Sequence, residues 1–92
     1  MSDIQKRYTA FYQKVQDELA KDKIIKKSLM EICSVYLDRK GHENQVNVEI
    51  LLESKAPQRI KAKKLFDKYC KDFGFTMNYI NLIGDLPSEW TD

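Results

Sequence analysis

Apolar residues recur along this chain in two rhythms, and the changes of rhythm divide it into elements. Ile4, Tyr8, Phe11, Tyr12, Val15 and Leu19 are spaced by threes and fours, the period of one helical face. Lys6, Arg7, Gln13, Lys14, Asp17 and Lys21 fall elsewhere, and Ser2 with Gln5 three residues later fits a capping box. The spacing predicts a helix over 3–21. Asp22 is placed to cap a second helix over 23–40. There Ile24, Ile25, Leu29, Met30, Ile32, Cys33, Val35, Tyr36 and Leu37 would cover most of the circumference, leaving a polar stripe of Lys27, Glu31, Ser34 and Asp38. A helix apolar on nearly every side is a central one, so Leu29 and Ile32 are expected in the core. Arg39 and Lys40 suit the negative end of such a helix, and Gly41 the position just past it.

After a loop at His42–Gln45 the period shortens to two. Val46, Val48, Ile50 and Leu52 alternate with Asn47, Glu49, Leu51 and Glu53, a half-buried strand with only Leu51 out of pattern. Pro57 suits the first turn of a helix. Ala62, Leu65, Phe66, Tyr69, Cys70 and Phe73 then make the apolar stripe of a helix over 57–73, closed by Gly74. Residues 75–83 predict a second strand whose alternation slips at Tyr79–Ile80, through a bulge or by turning into a short helix. A tail over 84–92 contains Pro87 and Trp90.

The expected order is therefore α-α-β-α-β: one small α+β domain over 1–92, with a minimal two-stranded sheet packed on helices. The span between the strands is long enough for a helical crossover, so a parallel pair is possible. Two strands are few for a stable sheet, and a dimer or a partner would complete it.

Composition narrows the class. A chain of 92 residues buries only roughly 60% of its unfolded surface, so its core is thin. With 42% hydrophobic residues and ten aromatics it still has a core without staples, despite 33% charged residues. Cys33 and Cys70 form no CxxC pair, and both read as reduced core thiols rather than a disulfide or redox couple. No signal-like apolar run and no span of membrane length is present, and a cytoplasmic location is expected.

Charge is unevenly spread. Residues 1–45 carry net +2, residues 46–74 net +3 and residues 75–92 net −3. The basic excess concentrates on the helix over 57–73, where Lys61, Lys64, Lys68 and Lys71 fall within an arc of roughly 80° opposite Leu65, Tyr69 and Phe73. Arg59 and Lys63 point elsewhere. Such a face either is solvated surface or meets a polyanion, each ammonium displacing a counterion condensed on a phosphate. Trp90, close behind Pro87, either pins the tail to the body or anchors a partner.

No catalytic set is found. The single histidine, His42, has no nucleophile partner in sequence. One histidine and two distant cysteines do not make a zinc site, and Gly41, Gly74 and Gly84 are too scattered for a phosphate loop. No enzyme activity, cofactor or metal is expected. By size, lack of catalytic residues and the lysine-rich helix, the whole chain resembles the small phage-encoded anti-CRISPR proteins, including inhibitors of type I-F surveillance complexes. The resemblance contains no shared motif, so no residue role is carried over. It implies a non-enzymatic inhibitor in the host cytoplasm that binds a multisubunit nucleoprotein complex, its protein subunits and its guide RNA among the surfaces available, and blocks nucleic-acid binding. The alternative is a small DNA- or RNA-binding regulator. The recognition-helix version of that alternative is disfavoured by how apolar residues 23–40 are.

Overall fold

The first helical stripe folds as expected. In the computed structural model, which describes residues 3–38, 44–81 and 84–91, α1 spans Asp3–Ala20 and buries Phe11, Val15 and Leu19. Ile4, Tyr8 and Tyr12 lie half-buried along the same face. The Ser2–Gln5 cap, the Arg39–Gly41 helix end, His42 and the last two positions of the strand expected over 75–83 lie outside the described residues.

The second helix does not form. Asp22 does accept backbone N–H bonds, from Ile24 at 2.9 Å and Ile25 at 3.2 Å, but they close a local turn rather than starting a helix. The chain stays irregular through Ser28, makes a single 3₁₀ turn at Leu29–Glu31, and continues as strand β1, Cys33–Leu37. The Glu31 carboxylate fixes that turn by accepting from the backbone N–H and hydroxyl of Ser28, at 2.8 and 3.0 Å. Gln16 of α1 accepts from the Leu29 N–H at 2.8 Å. The physical reason for the difference lies in β1 itself. Cys33, Val35 and Leu37 alternate with Ser34 and Tyr36, and β-branched and aromatic residues fit a pleated surface better than a helix. Leu29 and Ile32 are nonetheless fully buried.

Strand β2, Gln45–Ile50, pairs antiparallel with β1, Val48 opposite Val35 and Ile50 opposite Cys33. Helix α2, Ala56–Tyr69, then crosses over to β3, Thr76–Ile80, which runs parallel to β2 with Tyr79 opposite Val48. Among the described residues the sheet thus has three strands in the order β1-β2-β3, and the order of main elements is α-β-β-α-β. The fold class is the α+β domain anticipated, and the parallel pair is present. The third strand comes from the segment expected to be a helix.

The buried face of α2 is Ala62, Leu65, Phe66 and Tyr69. Its start is held by the Gln58 side chain, which accepts the Lys55 N–H at 3.0 Å. Its end closes through Gly74, whose φ of +75° is a left-handed conformation that glycine adopts at no steric cost. The N–H of Gly74 reaches back to Lys71 and that of Phe75 to Cys70, satisfying carbonyls that a helix end leaves open. Phe11 is the hub between layers, with ring centroids 6.2 Å from Phe66, 5.8 Å from Phe73 and 5.5 Å from Phe75.

The other sheet face is polar. Across it run Tyr36, Asn47 and Asn78 in register. The Asn47 amide oxygen accepts from Asn78 at 2.9 Å and from Gln45 at 3.1 Å, and Gln45 also donates to Asp38 at 3.0 Å.

Candidate binding surface

The four predicted lysines do not share one environment. Lys61, Lys64 and Lys68 lie on α2, and Lys71 lies in the turn that follows it. Lys64, Lys68 and Lys71 are exposed, whereas Lys61 is half-buried. The Lys68 ammonium sits 5.2 Å from the centre of the Tyr69 ring, which Lys14 of α1 also approaches at 5.4 Å. Positive charge is therefore drawn from both helices to this ring by its negative π-face.

Lys61 and Lys64 border an open cleft of about 340 Å³. One wall is the Asp22 turn with Ile24 and Ile25, and the other is the first two turns of α2 with Pro57 and Ile60. Ile25 is buried at the base, but Ile24 is 87% exposed and Ile60 is 37% exposed. Two isoleucines and a proline held open to water beside two lysines make an amphipathic site. Among the described residues neither Lys61 nor Lys64 makes an ion pair.

The Asp22 turn also brings its own charge. Lys23, Lys26 and Lys27 flank the cleft isoleucines, and all three are exposed. Residues 21–28 and 55–71 together hold eleven of the sixteen Lys and Arg but two of the fourteen Asp and Glu. These two segments thus carry +9, and the rest of the chain −7, against a total of +2. Assigning residues 23–40 to a helix hid this half of the surface. The KxxKK run in 23–27 beside a pair of isoleucines was the signal available for it.

The remaining cations of α2 are neutralised within the fold. Arg59 donates to the Glu89 carboxylate at 2.7 Å and to the Ser54 carbonyl. Lys63 pairs with Asp67 at 2.8 Å and lies 5.2 Å from the centre of the Tyr79 ring. The Tyr79 hydroxyl donates to Asp67, and burial with this bond pushes its pKa far above the ordinary phenol range. Trp90, 3% exposed, meets Tyr79 edge-to-face at 4.9 Å. Of the two roles open to it, the tryptophan takes that of pinning the tail.

Both cysteines are free. Burial pushes the Cys33 thiol up to about 12 and raises Cys70 as well, the opposite of what an activated nucleophile needs. Among the described residues no three His, Cys, Asp or Glu side chains are grouped to hold a metal, and no helix is long and apolar enough to cross a membrane. No protein-family model, curated protein or solved structure matches the chain.

Proposed function

We propose that this chain is a non-enzymatic binding protein that acts by laying a basic, partly apolar surface on a larger, negatively charged partner. The observation that carries this reading is the segregation of charge onto residues 21–28 and 55–71, which meet at the cleft. Isolated lysines on a helix only keep it solvated. Two separate segments folded together with unpaired lysines and exposed isoleucines are more than solvation requires. The sharper form takes its partner from the whole-chain resemblance. In it the chain is a phage inhibitor of a CRISPR RNA-guided surveillance complex, acting in the host cytoplasm by blocking nucleic-acid binding, with Lys61, Lys64, Lys68 and Lys71 as contact residues.

The alternative, a small DNA- or RNA-binding regulator, draws on the polar sheet face, where Tyr36 is 42% exposed in register with the buried Asn47. Exposed sheet aromatics stack unpaired bases. Glu49 and Asp38 flank that row and oppose a phosphate backbone.

The test is binding of the Lys61→Glu, Lys64→Glu, Lys68→Glu, Lys71→Glu variant and of Tyr36→Ala, each against a purified type I-F surveillance complex and against free duplex and single-stranded nucleic acid. The lysine variant is expected to stay folded by circular dichroism and to lose the complex. Losing four phosphate contacts on a duplex would flatten the log-affinity against log-salt slope by about 3–4 units, whereas an acidic protein partner gives a gentler dependence. A folded lysine variant that binds every partner like the parent overturns the surface. Loss in Tyr36→Ala of binding to free nucleic acid moves the function to the sheet.

A further inference from the structure

We infer that the cleft between the Asp22 turn and the start of α2 takes an acidic peptide segment with an aliphatic side chain at its centre, supplied by a protein subunit of the partner. This rests on the reading of the lysine surface above and assigns its two ends different ligands.

The lining decides between peptide and nucleic acid. Among the described residues it consists of Asp22, Ile24, Ile25, Pro57, Ile60, Lys61 and Lys64, none of them aromatic. Single-stranded nucleic acid is held by base stacking on aromatics together with cations, and this cleft offers only the cations. A phosphate backbone gains nothing from two isoleucines and a proline. An aliphatic side chain does, because covering Ile24 and Ile60 removes apolar surface from water.

The size and shape agree. A volume of about 340 Å³ lies at the small end of the range of roughly 300–1,000 Å³ typical of ligand sites. With Ile24 87% exposed, the wall stands too open to enclose a small molecule. A chain segment passing over the cleft covers that wall as well as the base.

Charge sets the flanks of the segment. Lys61 and Lys64 stand one turn apart on α2 with no ion pair among the described residues, and the exposed Lys23, Lys26 and Lys27 flank the opposite wall's Ile24 and Ile25 in sequence. Asp22, the one lining carboxylate among the described residues, already accepts from the N–H groups of Ile24 and Ile25. Carboxylates on either side of the anchor thus meet ammonium groups while the anchor meets isoleucine. Lys68 and Lys71 are not among the cleft's lining residues and, as exposed ammonium groups, suit phosphate.

The experiment titrates the ¹⁵N-labelled full chain with three probes: a short Asp/Glu-rich peptide with a central Leu-Leu pair, its Gly-Gly twin, and an oligothymidylate of equal charge. The leucine peptide is expected to shift the amides of Ile24, Ile25, Ile60, Lys61 and Lys64. The glycine twin is expected to bind about tenfold or more weakly, as is the leucine peptide to the Ile24→Ser, Ile60→Ser variant, whose two changes sit on the surface. Equal binding of the twins, equal perturbation of these amides by oligothymidylate, or no shift with any probe overturns the assignment. If the lysine variant loses its partner while the leucine peptide leaves these amides unmoved, the cleft fails and the wider surface reading stands.

Discussion

Arg59 and Lys63 alternate with Lys61 and Lys64 along one helix, yet the fold uses the two pairs in opposite ways. Arg59 and Lys63 point toward the tail and β3, and each meets a carboxylate, Glu89 and Asp67. Lys61 and Lys64 line the cleft together with Asp22, Ile24, Ile25 and Ile60. At about 100° per residue a single step around the axis separates a cation that holds the protein together from one that is available to something else. Charge density on a helix is therefore a poor guide to binding until each cation has been matched with its partners. Of the five basic residues on α2, two are committed internally in this way.

The largest effect is expected at the tail. If that side of α2 is structural, Trp90→Ala should destabilise by about 3–5 kcal/mol, the usual result of emptying a buried aromatic site, measured by denaturant midpoint. A loss below about 1 kcal/mol would mean the tail is an ornament and Arg59 no more committed than Lys61. The next effect depends on pH. The Glu89 carboxyl is held below the usual glutamate range, first by its own backbone N–H and then by Arg59. A depressed carboxylate contributes stability that is present above the unfolded pKa of about 4.3 and is lost as pH falls through the folded value. Glu89→Gln should therefore melt below the parent at neutral pH, and the two melting curves should converge on acidification. Curves that stay parallel into strong acid would remove Glu89 from the tie. The smallest effect is expected on the other side. Lys61→Ala and Lys64→Ala should each change stability by no more than about 0.5 kcal/mol, and a larger loss would make them structural too.

Much of this arrangement was legible in the chain. The α1 stripe, the α2 stripe, Gly74 and the alternation in β2 each show a single period, and each element formed within a few residues of its expected bounds. Residues 23–40 failed because they mix two readings. Nine apolar residues in eighteen satisfy a helix on any side, so the helical period there carried little information. The shorter alternation of Cys33, Val35 and Leu37 was the better signal. Leu29 and Ile32 were placed correctly in the core under the wrong element, because hydrophobicity specifies burial more firmly than backbone shape. For the surface, spacing placed Lys61, Lys64, Lys68 and Lys71 on one exposed helical face, but Lys61 is half-buried and Lys71 lies past the end of α2. The cleft did not follow from spacing, since it needs Ile24 beside Ile60, two residues 36 positions apart that only tertiary packing brings together.

The chain contains one tryptophan, Trp90, and its seat against Tyr79 makes it an optical reporter of a narrow kind. A buried indole emits at shorter wavelength than a hydrated one, so its colour follows docking of the tail rather than the state of α1 or β1. The cleft lies around the other side of α2, and filling it should leave that emission unmoved. Peeling off the tail should redden it at once, even with the helices intact. Fluorescence and far-ultraviolet dichroism that melt together would show the tail to be part of a single cooperative unit, and separated transitions would show it to be an appendage that leaves first.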